Sequence, residues 1–254
     1  MSKTSILITG AGTGIGAATA ERLAAGGHRI ILSGRRREPL EEVEERLSGE
    51  GHLVLPMDVS DKESVHDALH GGALDGHDLI AVFANAGIGG ENHYGADDRW
   101  EQIIDINLSG VYYTIMEALP LLKKSSSAFK HILITSSCLA RFGVPFYTAY
   151  CASKSGLTGL TRALAVELAS DDILVNALLP GWVDTEMARA GIQLLADHQG
   201  KPYEETHKEQ MSFVPLGKMS EPEELGNLVS YLFSPGQKSM TGQCIDFNNG
   251  SFMI

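Results

Sequence analysis

The sequence contains little cysteine and comparatively little positive charge. Its cysteines, Cys138, Cys151 and Cys244, are odd in number and lack CxxC spacing, so packed thiols are expected rather than a disulfide framework or a metal knuckle. Against 32 acidic residues there are 20 Lys and Arg, giving a formal net charge of -12. Nucleic-acid affinity comes largely from Lys and Arg contacts to phosphate. The charge balance therefore argues against nucleic acid and favours a small-molecule partner.

Long apolar runs are also missing. No stretch approaches the ~20 apolar residues that cross a bilayer. The opening residues MSKTSILITG enter a strand-like run without a signal-peptide core and cleavage site. We therefore expect no membrane association and a cytoplasmic location. No catalytic metal is predicted, because neither HxxH or HExxH pairing nor an acidic cluster at ligand spacing accompanies His93, His131, His198 and His207.

The apolar residues that are present alternate between two kinds of segment, which is typical of βαβ units and a parallel sheet. Strands are predicted near 5-9, 28-33, 52-56, 79-84, 130-135, 173-178 and 242-247. Helices are predicted near 15-26, 38-48, 61-70, 98-123, 148-169 and 221-233. With 43% hydrophobic residues, we expect one α/β domain over 1-254, a doubly wound Rossmann-type fold with a seven-stranded parallel sheet flanked by helices. The long connection at 184-215 is expected to be a variable substrate loop or lid.

Four glycines follow the first predicted strand in TGAGTGIG, at Gly10, Gly12, Gly14 and Gly16. Bare amides at a helix N-terminus suit a phosphate, because unpaired N–H groups and the helix dipole both favour an anion. The spacing fits either GxGxxA or GxxxGxG. An S-adenosylmethionine-dependent methyltransferase also fits a glycine-rich turn, but such enzymes usually end the second strand with an acid. Here that strand ends LSGRRRE, with Gly34 where the acid is expected.

A second motif follows the fifth predicted strand. Tyr150 and Lys154 are four residues apart and fall on one helix face, and Ser137 precedes the tyrosine by thirteen residues. Together with TGAGTGIG, NAG at 85-87, IN ending at Asn107 and PG at 180-181, this order of motifs resembles the short-chain dehydrogenase/reductase family over essentially the whole chain. One departure is FANAG, where Ala84 stands in place of an asparagine that the family often has.

The resemblance implies reversible interconversion of a secondary alcohol and a ketone by hydride transfer, with a Ser-Tyr-Lys proton relay. A free tyrosine with a pKa of ~10 is a poor proton shuttle at neutral pH. Lowering it by ~3 pKa units takes ~4 kcal/mol, the attraction of one ammonium at ~4 Å under an effective dielectric of ~20. We therefore expect Lys154 to lower the pKa of Tyr150 and Ser137 to hydrogen-bond the substrate oxygen. By resemblance, Asn107 positions a water in the relay.

The resemblance also implies a nicotinamide cofactor. Its binding residues are expected to be Gly10, Gly12, Thr13, Gly14, Ile15, Gly16, Ser33, Arg35, Arg36, Asp58, Val59, Asn85, Ala86, Gly87, Tyr150, Lys154, Pro180, Gly181, Val183 and Thr185. NADP(H) is favoured and NAD(H) stays possible, because Gly34 removes the carboxylate that repels a 2′-phosphate and any of Arg35, Arg36 and Arg37 could pair with one. Against NADP stands Thr13, where many NADP-preferring relatives carry a further Arg or Lys.

A substrate pocket is expected from Ser137, Arg141, Phe142, Phe146, Tyr147, Trp182 and Met187. Most of these residues are apolar, although Arg141 could meet a carboxylate or a phosphate. Two other functions stay open at this point: a catalytically silent nucleotide-binding sensor or scaffold of the same fold, and the methyltransferase. By resemblance, a homotetramer is expected, with a homodimer next, through the helices near 98-123 and 148-169.

Overall fold

The computed structural model describes residues 4–253, and they form one parallel sheet covered by helices on both faces. The strands are β1 (Thr4–Thr9), β2 (Arg29–Gly34), β3 (Leu53–Pro56), β4 (Asp78–Ala84), β5 (Lys130–Thr135), β6 (Ile173–Pro180) and β7 (Cys244–Phe247). Their order across the sheet is β3-β2-β1-β4-β5-β6-β7, with every pair parallel. The predicted doubly wound fold with a seven-stranded sheet is confirmed. β7 is shorter than predicted because its pairing with β6 begins only at Cys244.

Alternate side chains of each strand enter two different apolar cores. On β1, Leu7 joins the core under the helices that follow β3, β4 and β5. Its neighbours Ile6 and Ile8 join the core on the opposite face, together with Leu225 and Val229. The sequence of a strand that is buried on both faces is a continuous apolar run rather than an alternation of apolar and polar residues. This explains why ILIT at the start of the chain identifies a central strand.

The helices cover both faces and connect successive strands. They are α1 (Gly14–Ala25), α2 (Arg37–Glu44), α3 (Lys62–His70), α4 (Trp100–Ile104), α5 (Gly110–Lys124), α6 (Thr148–Glu167), α7 (Glu186–Gln199), α8 (Tyr203–Ser212) and α9 (Pro222–Leu232). The single helix predicted near 98-123 is wrong in one respect, because a π-helical segment at Asp105–Ser109 separates α4 from α5. Such segments insert an extra residue into a helical turn and often occur at functional sites.

The connection at 184-215 is helical rather than irregular. Thr185 caps α7 by accepting a hydrogen bond from the backbone N–H of Ala188. At the other end, Gly200 adopts the left-handed conformation (φ 64°) that lets the chain turn into α8. The pair of helices covers a small apolar cluster of its own, made by Ile192, Met211, Val214 and Met219 with Trp182 packed against it.

Within residues 4–253, no helix is both long and apolar enough to span a membrane. In the carboxyl-terminal tail that follows β7, Met253 is 78% exposed. Ile254, the last apolar residue of the tail, lies outside the described residues, as do residues 1–3.

Candidate active site

The glycine loop joins β1 to α1 at the carboxyl edge of the sheet. Gly10 has φ +65°, and a side chain there would come within 3.0 Å of the Ala86 Cα. A side chain at Gly16 would collide with the Gly10 carbonyl oxygen. Neither position accepts another residue, so the loop stays tightly folded and presents bare backbone at the start of α1. Thr13, at the tip of the loop, is exposed, whereas Ile15 packs against the core.

A network of side-chain hydrogen bonds holds the NAG segment beside this loop. The Thr9 hydroxyl accepts from the backbone N–H groups of Asn85 and Ala86, both at 3.0 Å. The Asn85 amide donates to the Thr9 carbonyl oxygen at 3.2 Å and accepts from the Thr135 hydroxyl at 3.0 Å. The ends of β1, β4 and β5 are thereby tied together. Sequence reasoning assigned no role to Thr9, although it opens the motif TGAGTGIG, and it missed Thr135, since a threonine at a strand end carries no distinguishing spacing.

Ser137, Tyr150 and Lys154 meet where β5 ends and α6 begins. The Ser137 hydroxyl accepts from the Leu139 N–H at 3.1 Å, lies close enough to the Tyr150 phenol to lower its pKa, and belongs to a residue that is only 7% exposed. The Lys154 Nζ lies 5.6 Å from the centre of the Tyr150 ring and donates to the Thr135 carbonyl oxygen at 2.8 Å. The structure thus brings together the three residues that the sequence predicts, with a buried amine behind the two hydroxyls.

The titration of this cluster differs from the expectation. Burial raises the pKa of Tyr150 to about 12, against which the hydrogen bond from Ser137 acts in the lowering direction. Burial also lowers the pKa of Lys154 to about 8. Desolvation is the largest cause of both pKa shifts. Tyr150 holds its proton firmly at neutral pH, and Lys154 is still largely protonated there.

Asn107 lies in the π-helical segment and is fully buried. Its side-chain oxygen accepts from the Ile88 N–H at 2.8 Å, and its amide donates to the Ile88 carbonyl oxygen at 2.9 Å. A side chain at Gly87 would meet the Asn107 Oδ1 at 3.1 Å and the Lys154 Nζ at 3.5 Å. The glycine of the NAG motif therefore leaves the space in which these two side chains converge.

The residues predicted to hold the adenosine half of a cofactor lie beyond β2 and β3. Arg35 and Arg36 are exposed, and no ion pair engages either of them within residues 4–253. Ser33 is fully buried, and its hydroxyl has no hydrogen-bond partner among the described residues. The Asp58 carboxylate accepts from the backbone and side chain of Ser60.

The residues predicted to border the nicotinamide follow β6. A side chain at Gly181 would lie 2.9 Å from the Asn248 Cα, so this glycine permits a close approach to the tail. Val183 is buried and pairs with Ser220. The methyl group of Thr185 lies 3.0 Å from the position a Gly14 side chain would occupy. Residues 180–185 thus lie beside the glycine loop. A ligand that touches both segments needs them to be this close.

Two cavities flank this edge of the sheet. One of about 300 Å³ borders Thr13, Gly14 and Thr185. A larger one, of about 630 Å³, lies between the tail and β7 and includes Asp246 and Phe252. Neither is lined by Ser137 or Tyr150, so the chemistry of the side chains, rather than cavity size, locates the site.

Some of the predicted substrate-pocket residues lie near the catalytic cluster. The rings of Tyr147 and Tyr150 are 6.2 Å apart, and burial, with the Glu91 charge, raises the pKa of Tyr147. Met187 on α7 lies 3.3 Å from the position of a Gly89 side chain, which places α7 over the loop after β4. Phe146 is 55% exposed and has φ 66°, in the left-handed region. Of these three residues, Tyr147 is the one whose contact with the cluster of Ser137, Tyr150 and Lys154 is direct.

Arg141, Phe142 and Trp182 do not match the pocket prediction as simply. The Arg141 guanidinium pairs with the Asp246 carboxylate at 3.0 Å, so it already has an acidic partner within the chain. Phe142 stacks on Phe252 of the tail at 5.7 Å. Trp182 packs beneath α7 in the small apolar cluster. Their contacts join the site to the tail and to α7, whose residues are distant in sequence from β5.

The residues present fit a dinucleotide. Side-chain-free backbone at Gly10 and Gly16, a helix N-terminus and an exposed cationic stretch after β2 provide sites for a pyrophosphate and for a further phosphate. The buried Lys154 and the neighbouring hydroxyls lie at the other end of the same edge. This is the edge at which open α/β sheets bind their ligands.

Comparison with known proteins gives one consistent result. A family model described as enoyl-(acyl carrier protein) reductase matches residues 10–251. The 3-oxoacyl-(acyl-carrier-protein) reductase of Staphylococcus aureus is 32% identical over 255 residues, which cover 98% of each chain.

Solved structures agree. An actinorhodin polyketide ketoreductase crystallised with NADPH is similar with a TM-score of 0.88 and 29% identity, over 98% of this chain and 97% of that one. The 3-ketoacyl-(acyl-carrier-protein) reductase of Brucella melitensis, complexed with NADH, is similar with a TM-score of 0.84 and 26% identity, over 99% of this chain and 98% of that one. The methyltransferase hypothesis is therefore wrong, and so is that of a silent scaffold. The chain belongs to the short-chain dehydrogenase/reductase family of NAD(P)-dependent oxidoreductases.

Proposed function

We propose that the protein reduces the ketone of a 3-oxoacyl thioester, or a closely related ketone, to a secondary alcohol, and catalyses the reverse oxidation. The observation that carries this proposal is the pair of hydroxyls of Ser137 and Tyr150 in front of the buried Lys154 amine. Two relatives named above are reductases of 3-oxoacyl or 3-ketoacyl groups, and a third is a polyketide ketoreductase. The same substrate chemistry is the first candidate here.

A bound nicotinamide cofactor supplies the hydride for reduction. Tyr150 donates its proton to the substrate oxygen, and the Ser137 hydroxyl donates a hydrogen bond to the same oxygen as negative charge develops. The raised pKa of Tyr150 keeps this proton in place until the oxygen becomes basic. The Lys154 ammonium then stabilises the phenolate. Asn107 is a positioning residue, since both polar atoms of its side chain hold the backbone of Ile88.

The family model's description names reduction of an enoyl group, which is the second candidate reaction. An enoyl reductase adds hydride to a carbon–carbon double bond, and the paired hydroxyls fit direct protonation of a carbonyl oxygen better. The test offers the protein a 3-oxoacyl thioester, the 2-enoyl thioester of equal chain length, and cyclic and sugar ketones. The rate with each compound is measured as the loss of absorbance of the reduced nicotinamide cofactor. We expect the 3-oxoacyl thioester to react. Preferential loss of cofactor with the 2-enoyl thioester would overturn the proposal.

The preferred cofactor is proposed to be NADP(H). β2 ends at Gly34, so no carboxylate at that place repels a 2′-phosphate. Arg35 and Arg36 are exposed, while Arg37 pairs with Glu41 on α2 at 3.4 Å. One charge-assisted contact worth ~1.5–3 kcal/mol changes the preference by roughly tenfold to a hundredfold.

The cofactor test compares kcat/KM for NADPH and NADH in the wild type and in the double variant Gly34→Asp/Arg35→Ala. We expect the wild type to prefer NADPH and the double variant to lose that preference. Arg37→Ala is the matched control, because its guanidinium already has a partner on α2. A wild type that prefers NADH would contradict the assignment, and so would a double variant that still prefers NADPH.

The segment at 184-215 is proposed to be a lid over the substrate. Besides the contact of Met187 with the loop after β4, His198 of α7 lies 3.5 Å from the Glu91 carboxylate. These contacts are few, and most of the apolar contacts of α7 are to α8 and Trp182. Amide hydrogen exchange should show α7 and α8 becoming protected when NADPH and product are both added. Equal exchange with and without ligands would refute the lid.

A homotetramer, or next a homodimer, is proposed through α5 and α6. Tyr112 on α5 is 46% exposed and Val166 on α6 is 82% exposed, and large apolar side chains on a helix surface are better covered than exposed. Light scattering at micromolar concentration should report about 109 kDa, four times the 27.3 kDa chain. A 27.3 kDa species alone would contradict both assemblies.

A further inference from the structure

Two histidines and a glutamate meet on the surface between α3 and α5. His66 and His70 are four residues apart on α3, so their imidazoles lie on one face of the helix. Glu117 extends toward them from α5. The ring centres of the two histidines are 4.8 Å apart. The HxxxH spacing in KESVHDALH is the sequence signal for this cluster, which the prediction of no metal site did not take into account.

The donor atoms of the cluster already converge. The His66 Nδ1 lies 2.9 Å from the Glu117 Oε2, and the His70 Nε2 lies 3.2 Å from the same oxygen. One ligand atom from each of the three residues lies within 4.8 Å of the other two. Ligands at ~2.0–2.1 Å from a tetrahedral Zn²⁺ are ~3.3 Å apart. Binding therefore requires mainly that the two imidazoles move slightly toward each other.

We propose that His66, His70 and Glu117 form a surface binding site for a divalent transition metal, with Zn²⁺ the best match. Two imidazole nitrogens and one carboxylate oxygen are the ligand set that Zn²⁺ accepts, with water in the fourth position. Imidazole ligands also disfavour Mg²⁺ and Ca²⁺, which prefer oxygen. The site is distinct from the catalytic cluster, since its ligands belong to α3 and α5, whereas the cluster is built at the end of β5 and on α6.

Bound metal would clamp α3 to α5. α3 follows Val59, and the Val59 carbonyl oxygen lies 2.8 Å from the position of a side chain at Gly110, where α5 begins. The two helices are therefore already held close where they begin, and the metal would connect the last turn of α3 to the middle of α5. Its effect is on the stability of the folded chain, because a ligand that binds the folded state alone stabilises it by mass action.

The test is calorimetric titration of the EDTA-treated full-length protein with ZnCl₂. We expect one Zn²⁺ per chain, abolition of binding in His66→Gln/His70→Gln, and at least a roughly tenfold loss of affinity in Glu117→Gln. His207→Gln is the matched control and should bind as the wild type does, because His207 stacks on Tyr203 of α8. MgCl₂ should produce no comparable heat.

Thermal unfolding provides a readout independent of activity. At a hundredfold excess of free Zn²⁺ over its dissociation constant, the melting temperature should rise by about 5 to 10 °C. The double histidine variant, confirmed as folded by its own melting transition, should show no rise. No Zn²⁺ binding by the wild type at micromolar concentration, or undiminished binding by the double variant, would overturn the proposal.

Discussion

Replacing Lys154 with methionine should leave the protein stable and nearly inactive. Burial lowers the pKa of this lysine from its ordinary value of 10.5 to about 8, which corresponds to about 3 kcal/mol of unfavourable free energy for the charged form at neutral pH. Methionine removes that charge but leaves the Thr135 carbonyl oxygen without its donor, at a cost of ~1–3 kcal/mol. The free energy of unfolding should therefore be unchanged or rise by up to about 2 kcal/mol.

The effect on catalysis has the opposite sign. At 5.6 Å from the Tyr150 ring and an effective dielectric of ~20, the ammonium attracts a phenolate by about 3 kcal/mol. Loss of this attraction should lower kcat for ketone reduction roughly a hundredfold. Lys62→Met, an exposed lysine at the start of α3, is the matched control and should change neither quantity.

The pH dependence of stability gives an independent check. Between pH values of about 8 and 10.5, Lys154 is protonated in the unfolded chain but not in the folded one. Folding then releases a proton, so the stability of the wild type should rise with pH across this window. Between pH 7 and 9.5, the free energy of unfolding of the wild type should rise by about 2 kcal/mol more than that of Lys154→Met.

Urea unfolding of the ligand-free proteins at several pH values measures this difference, and steady-state kinetics measure kcat. A Lys154→Met variant that loses more than about 2 kcal/mol of stability at neutral pH would show that the buried amine stabilises the fold. A wild-type minus variant difference that stays constant with pH would show that Lys154 keeps its ordinary pKa. Either result would refute the reasoning.

The same contacts lead us to expect three further results. Ketone reduction by the wild type should fall as pH rises through about 8, because Lys154 loses its charge there; a rate that rises through this range in the reductive direction would contradict it. Gly16→Ala should abolish NADPH binding measured by fluorescence, since the added methyl collides with the Gly10 carbonyl oxygen, whereas Gly143→Ala, in open space, should bind normally. Asn107→Ala leaves the partly buried Ile88 N–H without its acceptor and should lower both the free energy of unfolding, by roughly 1 kcal/mol, and kcat. Unchanged values of both would refute its positioning role.

The sequence predicts the sheet well because burial on both faces produces short continuous apolar runs such as ILIT and HILIT. These runs are too short to cross a bilayer and lack the polar face of a surface helix. The sequence also predicts that Tyr150 and Lys154 lie on one helix face, since they are four residues apart. Ser137 enters the prediction only through the family resemblance. It does not predict the π-helical segment, because the apolar pattern near 98-123 is also compatible with one continuous helix.

The other features of the site that the sequence did not predict depend on contacts between residues that are distant in sequence. Arg141 pairs with Asp246, which lies 105 residues further along the chain, and no local pattern links them. The network of Thr9, Asn85 and Thr135 likewise joins three strands that only the folded sheet brings together. The raised pKa of Tyr150 has the same origin, since desolvation depends on everything packed around the phenol.

The most direct test of the proposed chemistry is the rate of NADPH consumption with a 3-oxoacyl thioester by the wild type and by Tyr150→Phe. Tyr231→Phe, a half-exposed tyrosine on α9, is the matched control, and NADPH binding is measured for all three proteins. We expect Tyr150→Phe to bind NADPH like the wild type but to lose at least roughly a thousandfold in kcat, while Tyr231→Phe keeps full activity. Undiminished kcat in Tyr150→Phe would show that this phenol does not transfer the proton.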